Sequence, residues 1–181
     1  ARDGVTDLHG LLFRPSDFDP DREYPVINYL YPGPMGRSVG TRSFIPSHSD
    51  LQSIAELGFV VFELDAMGTA GRSKSFHEVY YGNMGDNGLP DQITGIRQLA
   101  ERYAWMDIDR VGIFGHSGGG YAAADAILRH PDFYDVAVSQ AGNHDNRNYE
   151  DDWGEKWQGL LVENPDGSTN YDNQANQLLA E

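Results

Sequence analysis

The chain has 181 residues, no cysteine and a formal net charge of −15 at pH 7. This length suffices for one domain with a sizeable core, and the missing cysteines exclude disulfides, thiolate metal ligands and a cysteine nucleophile. The acidic charge argues against nucleic acids and anionic membrane surfaces as partners, because both would repel it, although an acidic surface also serves ordinary solubility. No apolar stretch approaches the roughly 20 residues that cross a bilayer, so we expect a soluble protein and leave its compartment open.

The first predicted elements are two strands and a short helix. The sequence TDLHGLLFRP (residues 6–15) alternates and stops at a proline, which predicts a strand. PVINYLY (25–31) is rich in β-forming residues and ends where prolines and glycines begin, so it predicts a second strand. Ser49 or Asp50 is suited to cap a helix over LQSIAEL (51–57).

The middle of the chain predicts a strand, a long loop and a helix. FVVFELD (59–65) is apolar enough for a strand that is buried on both faces. Residues 66–88 contain too many glycines for a regular element, so we expect a long loop there. LPDQITGIRQLAERYAWM (89–106) predicts a helix, because its apolar residues recur at helical spacing. These residues are Ile93, Ile96, Leu99, Ala100 and Tyr103.

The second half alternates between strand and helix. DRVGIFG (109–115) and DVAVSQAG (135–142) predict strands, and GGYAAADAILRH (119–130) between them predicts a helix. The polar tail (163–181) has at most a short helix at its end. Such alternation implies parallel strands joined by right-handed crossovers, hence an α/β sheet with helices on both faces.

Three side chains fall at the ends of predicted strands. They belong to Tyr31, Asp65 and Ser117. Because the carboxyl ends of parallel strands share one edge of a sheet, and ligands bind beyond that edge, we expect these residues to lie on the functional edge.

Ser117 lies in the pattern GHSGG (115–119), between a predicted strand and a predicted helix. The turn is so sharp that side chains two residues before and after the serine would collide with backbone, which explains Gly115 and Gly119. Free N–H groups at the helix start, that of Gly118 first among them, favour a developing oxyanion. The pattern therefore indicates a nucleophile for acyl transfer. The alternatives are a helix start that only permits tight packing, or a phosphate site, which the lack of G-x-x-x-x-G-K weakens.

Three motifs in the same order resemble the catalytic domain of the prolyl oligopeptidase family of serine peptidases, in particular its dipeptidyl peptidase IV branch. They are YPVINYLYPGPMG (24–36), GHSGGGY (115–121) and NHDNRNYEDDWGEKWQGL (143–160), and the likeness runs from about residue 7 to about residue 162. The resemblance implies an α/β-hydrolase fold, an N-terminal β-propeller outside this chain, and cleavage of short peptides.

The resemblance also implies roles for five residues. Ser117 matches the nucleophile, and Tyr31 matches a tyrosine whose hydroxyl forms the oxyanion hole together with the backbone N–H of Gly118. Trp153 falls where the family has an aromatic wall of the pocket for proline or another small apolar side chain, with Tyr149 nearby. Aromatic rings supply rigid apolar area there at little entropic cost. Without the resemblance, Tyr31 would be taken for an edge aromatic that covers the core.

Other interpretations of the aromatic segment and two departures from the family remain. Trp153 and Trp157, four residues apart, also fit one face of a helix packed on the core. Gly118 stands where the peptidase IV enzymes usually have tyrosine, so the pocket is expected to lack that ring and to be wider. Met67 stands where the family commonly has an arginine before Gly68.

A serine nucleophile needs a base and an acid that orients the base, and both follow the serine in α/β-hydrolases. Only His130 and His144 follow Ser117; His130 fits the end of a helix, and His144 does not match the family's base. The resemblance places the aspartate and the histidine after residue 181. We therefore expect residues 1–181 to be a partial catalytic domain without the propeller, the last strands and these two partners. His116 adjoins Ser117, but on this turn its side chain is expected to point away from that of Ser117. The remaining histidines, expected to be solvated or packing residues, are His9, His48 and His77.

The motif at Ser117 predicts an acyl-enzyme at that residue, and the resemblance implies a serine peptidase domain that releases dipeptides or short oligopeptides after proline or alanine. The alternatives are an esterase or other acyl hydrolase of the same fold, and a non-catalytic interaction domain. We expect a peptide substrate, no metal or other cofactor, and no nucleic-acid or membrane partner. A sheet without its last strands would also expose an edge, which predicts association between copies of the chain.

Overall fold

The computed structural model describes residues 1–37, 39 and 50–180. It contains one five-stranded sheet in the order β1-β3-β2-β4-β5, in which β1 runs antiparallel to β3 and the other neighbours are parallel. The strands are β1 (His9–Phe13), β2 (Tyr24–Tyr29), β3 (Val60–Asp65), β4 (Met106–His116) and β5 (Val136–Gln140). All five predicted strands are confirmed, as is the mostly parallel sheet.

Five α-helices connect or flank the strands within the described residues. They are α1 (Leu51–Ala55), α2 (Lys74–His77), α3 (Leu89–Arg102), α4 (Gly118–Arg129) and α5 (Asp151–Gln158). Short 3-10 helices cover Glu78–Tyr80, Met84–Asp86, Asp172–Gln174 and Asn176–Leu179. The last of these is the short helix expected at the end of the tail. None of the described helices is long and apolar enough to cross a membrane.

The structure corrects three details of the sequence predictions. Residues 66–88 are not a plain loop, because Ser73 Oγ accepts a hydrogen bond from the Phe76 N–H and so caps α2. Tyr103 does not belong to the buried face of α3: the helix ends at Arg102, and Tyr103 is extended and 40% exposed. Asp50 occupies the N-cap of α1 without a capping side-chain bond, and the other candidate cap, Ser49, lies outside the described residues.

The two faces of the sheet are covered unequally. Helices α3 and α4 pack over the main core, in which Val26, Val60 and Val111 are fully buried. On the other face α1 packs on a smaller cluster around Val61, beside an apolar cavity of about 670 Å³. The side chains of β5 that line this cavity, Val136 and Val138, are more than half exposed. The expected association between copies of the chain stays a prediction.

The strand register brings the predicted strand ends to one edge. Tyr29 is paired with Glu63 of β3 on one side and with Phe114 of β4 on the other. Tyr31 lies two residues beyond the end of β2 rather than inside it, since the last ladder bond on this strand is from the Leu30 N–H to the Phe114 carbonyl. Tyr31 and Ser117 therefore leave the sheet at the same level.

Candidate active site

Ser117 forms the junction between β4 and α4, in a backbone conformation that residues other than glycine rarely adopt. Its φ is 56° and its ψ is −118°, and it is one of three non-glycine residues with positive φ in the described chain. The Ser117 N–H donates to the Gln140 carbonyl (2.8 Å), and the Tyr121 N–H donates to the Ser117 carbonyl (3.0 Å). A strained residue that its neighbours hold in place is typical of functional sites.

Three glycines make this turn possible. A Cβ atom on Gly115 would overlap the carbonyl of Gly119, and one on Gly119 would overlap the carbonyl of Leu30. A Cβ atom on Gly120 would overlap the carbonyl of Gln140 in β5. The collision predicted for the positions two before and two after the serine is thus confirmed.

Gly118 differs from those glycines because its surroundings leave room for a side chain. A Cβ atom there would lie 3.8 Å from Tyr31 Cζ and 3.9 Å from the Tyr31 hydroxyl oxygen, which are ordinary contact distances. The Tyr31 side chain therefore reaches the first turn of α4. The first N–H groups of a helix have no partner within it, so the Gly118 N–H is a free donor next to Ser117. The Tyr31 hydroxyl, close to Gly118, is a second donor.

Within the described residues, no histidine forms a hydrogen bond with Ser117. His144 has both ring nitrogens engaged: Nε2 lies 3.2 Å from Ser139 Oγ, and Nδ1 accepts from Asn176 Nδ2 at 3.2 Å. His130 is the C-cap of α4, as predicted. His48 lies outside the described residues.

The third residue predicted at this edge, Asp65, ends β3 and has a different contact. Its Oδ1 accepts a hydrogen bond from the Val39 N–H at 3.2 Å. The described residues contain no group of three or more His, Asp or Glu side chains arranged to hold a metal ion.

The two aromatic candidates, Tyr149 and Trp153, touch each other. Their ring centroids are 5.3 Å apart with the planes at 88°, and Tyr149 is 40% exposed. Trp153 and Trp157 both lie on α5, but neither belongs to the apolar clusters of the described core, so the alternative of a core-facing tryptophan pair is wrong. No hydrogen bond or ring contact among the described residues joins Tyr149 and Trp153 to Ser117 or Tyr31.

A buried polar chain behind α4 received no role from the sequence. The Tyr80 hydroxyl donates to Asn87 Oδ1 (3.1 Å), and Asn87 Nδ2 donates to Asp125 Oδ2 (3.0 Å). Arg129 Nε donates to Asp125 Oδ1 at 2.8 Å. Burial raises the pKa of Asp125, although the bond from Arg129 opposes that shift. In the sequence, the only indication of these buried hydrogen bonds is the spacing of Asp125 and Arg129, which places both on one helix face.

Comparisons with known proteins agree with this fold and motif. The sequence model of the prolyl oligopeptidase family matches residues 46–179. Human dipeptidyl peptidase 8 is 36% identical over 134 residues, which is 74% of this chain and 15% of that protein. Dipeptidyl-aminopeptidase B of Aspergillus niger is 30% identical over 172 residues, which is 94% of this chain and 18% of that protein.

A solved structure extends the likeness to the whole fold. A Bacteroides ovatus protein assigned as a dipeptidyl aminopeptidase IV is 30% identical and superimposes with a TM-score of 0.84 over 99% of this chain and 25% of its own. The sheet is therefore that of an α/β-hydrolase. The chain spans between 15% and 25% of the length of these relatives. Its match over most of its length shows that it belongs to the prolyl oligopeptidase family of serine peptidases.

Proposed function

We propose that Ser117 is the nucleophile of a serine peptidase that releases short peptides through an acyl-enzyme. The observation that carries this proposal is the strained turn at Ser117 with the Tyr31 side chain over Gly118. A helix start that only needed tight packing would have no reason to keep a serine at φ 56°, where glycine is less strained. The neighbouring donors, an amide and a hydroxyl, suit an oxyanion.

The proposed reaction follows from the positions of these groups. Ser117 Oγ loses its proton to a base and attacks the peptide carbonyl carbon, whose oxygen becomes an oxyanion. The Gly118 N–H and the Tyr31 hydroxyl donate to that oxyanion, and each such donor typically contributes about 3 kcal/mol to the transition state. The C–N bond then breaks, the amine leaves with a proton from the base, and water hydrolyses the ester at Ser117.

We propose that the base and the acid lie after residue 181 in the full-length protein. This is supported by the contacts of His144, whose two ring nitrogens bind Ser139 and Asn176 instead of Ser117. It is also supported by the lengths of the relatives, which are several times that of this chain.

The substrates we propose are peptides from which a dipeptide is released after proline or another small apolar residue. The names of the relatives, dipeptidyl peptidase and dipeptidyl-aminopeptidase, support the dipeptide. The paired rings of Tyr149 and Trp153 support an apolar pocket. The free space at Gly118 supports a pocket that also admits residues larger than proline.

The test is a fluorophosphonate reaction with the full-length protein, followed by peptide mass spectrometry. We expect a single adduct on Ser117 and parallel loss of hydrolysis of a dipeptidyl-proline anilide. A nitrophenyl ester is the matched substrate: a much faster ester reaction with no anilide cleavage would favour an esterase and overturn the peptidase proposal. An adduct on another serine would overturn the assignment of Ser117.

A further inference from the structure

Few hydrogen bonds join the segment that carries Tyr31 to other described residues. It leaves the sheet after Leu30, and two of its residues, Pro32 and Pro34, have no N–H to donate. In the described part of the chain, one side-chain hydrogen bond reaches residues 31–37: His77 Nε2 lies 2.7 Å from the Pro34 carbonyl oxygen. Because a carbonyl only accepts, Nε2 carries the proton and donates.

A second contact joins the Tyr31 segment to the connection between β3 and α3, at Gly68. Gly33 lies so close to Gly68 that a Cβ atom on Gly33 would overlap the Gly68 carbonyl. Gly68 in turn accommodates the ring of Tyr80 and donates its N–H to the Phe76 carbonyl at 2.9 Å, directly before His77. The connection between β3 and α3 thus holds the Tyr31 segment by packing, at Gly68 and where the Arg37 side chain lies against Gly71, and by one directional bond from His77.

His77 also contacts the helix that carries the aromatic pair. Its ring lies 5.5 Å from that of Trp157, with the planes at 57°, and Trp157 is one turn after Trp153 on α5. The Trp157 carbonyl accepts from the Gly82 N–H at 2.8 Å, which fixes α5 to the same connection. His77 therefore stands between the Tyr31 segment and α5.

We propose that His77 is a positioning residue, which holds the Pro34 carbonyl and thereby keeps the Tyr31 hydroxyl beside the N–H of Gly118. This inference rests on the proposed function of Ser117 and Tyr31. The hydroxyl stabilises an oxyanion only within hydrogen-bond distance, and a displacement of about 1 Å by a change elsewhere can cost on the order of 10²-fold in rate. Removal of the one bond from His77 would allow such a displacement without changing any group that touches the substrate.

The experiment compares variants of the full-length protein in anilide hydrolysis. We expect His77→Ala and His77→Phe to lower kcat about 10- to 30-fold with KM changed less than about threefold, because only the transition state needs the hydroxyl in place. His77→Phe keeps a ring against Trp157 and removes only the donor. His77→Gln, whose Nε2 can donate in its place, should recover most of the rate. Lys74→Ala, an exposed change on the same helix, is the control and should leave kcat unchanged.

A double-mutant cycle separates positioning from general loss of stability. If His77 acts through the Tyr31 hydroxyl, His77→Phe should cost less than about twofold in a Tyr31→Phe background. Equal losses in both backgrounds, or no rescue by glutamine, would overturn the inference while Ser117 and Tyr31 keep their roles. Full activity of Ser117→Ala would instead overturn the proposed function itself.

Discussion

The two halves of the candidate site are held in different ways. The half with Ser117 and Tyr31 is fixed by backbone: glycines pack against the carbonyl of Leu30, just after β2, and that of Gln140 in β5, and the proposed nucleophile has a φ of 56°. In the other half, Trp153 lies on a surface helix of eight residues and Tyr149 just before that helix, and the two rings touch each other and belong to neither apolar cluster. Under the proposed function, the chemistry that needs precise geometry lies on this first, rigid half, and the contacts that need only apolar area lie on the second, adaptable half.

Ser117→Ala tests the rigid half most directly, and we expect the largest effect from it. Loss of a nucleophile commonly costs about 10⁴- to 10⁶-fold in turnover. Folding should stay intact, since the hydroxyl adds little to the core. The measurement is kcat for the anilide beside thermal unfolding, with Ser139→Ala as the matched control. Residual turnover within tenfold of the parent would mean that the strained turn does not serve catalysis.

Tyr31→Phe tests the second donor of the rigid half. We expect kcat to fall about 10²- to 10³-fold, the usual effect of removing one oxyanion donor, with little change in KM. Tyr29→Phe is the control, because Tyr29 lies inside β2 and carries the same hydroxyl group. A loss below about threefold for Tyr31→Phe would show that its hydroxyl does not meet the oxyanion.

Gly119→Ala and Gly118→Ala together test whether backbone packing fixes the rigid half. The methyl group on residue 119 would overlap the Leu30 carbonyl, so the free energy of unfolding should fall by about 1–3 kcal/mol. The methyl group on residue 118 meets only the Tyr31 side chain at 3.8 Å and should be tolerated. Denaturant unfolding of both variants measures the difference, and equal stabilities would contradict the packing described for this turn.

What could be predicted from the sequence follows the same division. The five strands, the elbow at Ser117 and its required glycines were all evident, because apolar periodicity and glycine spacing report backbone geometry directly. The proposed roles of Tyr31 and of the aromatic pair rest on a family resemblance, since a lone tyrosine or tryptophan carries no local pattern. The bond from His77 to Pro34 is not predictable, because it joins residues 43 positions apart and lies in a glycine-rich stretch for which the sequence predicts a loop, not the helix that Ser73 caps.

The smallest expected effect concerns the adaptable half. For Trp153→Ala we expect KM for the dipeptidyl-proline anilide to rise about tenfold with kcat nearly unchanged, because lost apolar contact weakens ground state and transition state alike. Stability should change by less than about 1 kcal/mol, since the ring lies outside both apolar clusters. Trp153→Phe should keep most of the affinity, and Leu161→Ala, an exposed change beyond α5, should have no effect. A fall in kcat as large as that of Tyr31→Phe would mean that Trp153 positions the reacting groups, and the division between a rigid and an adaptable half would then be wrong.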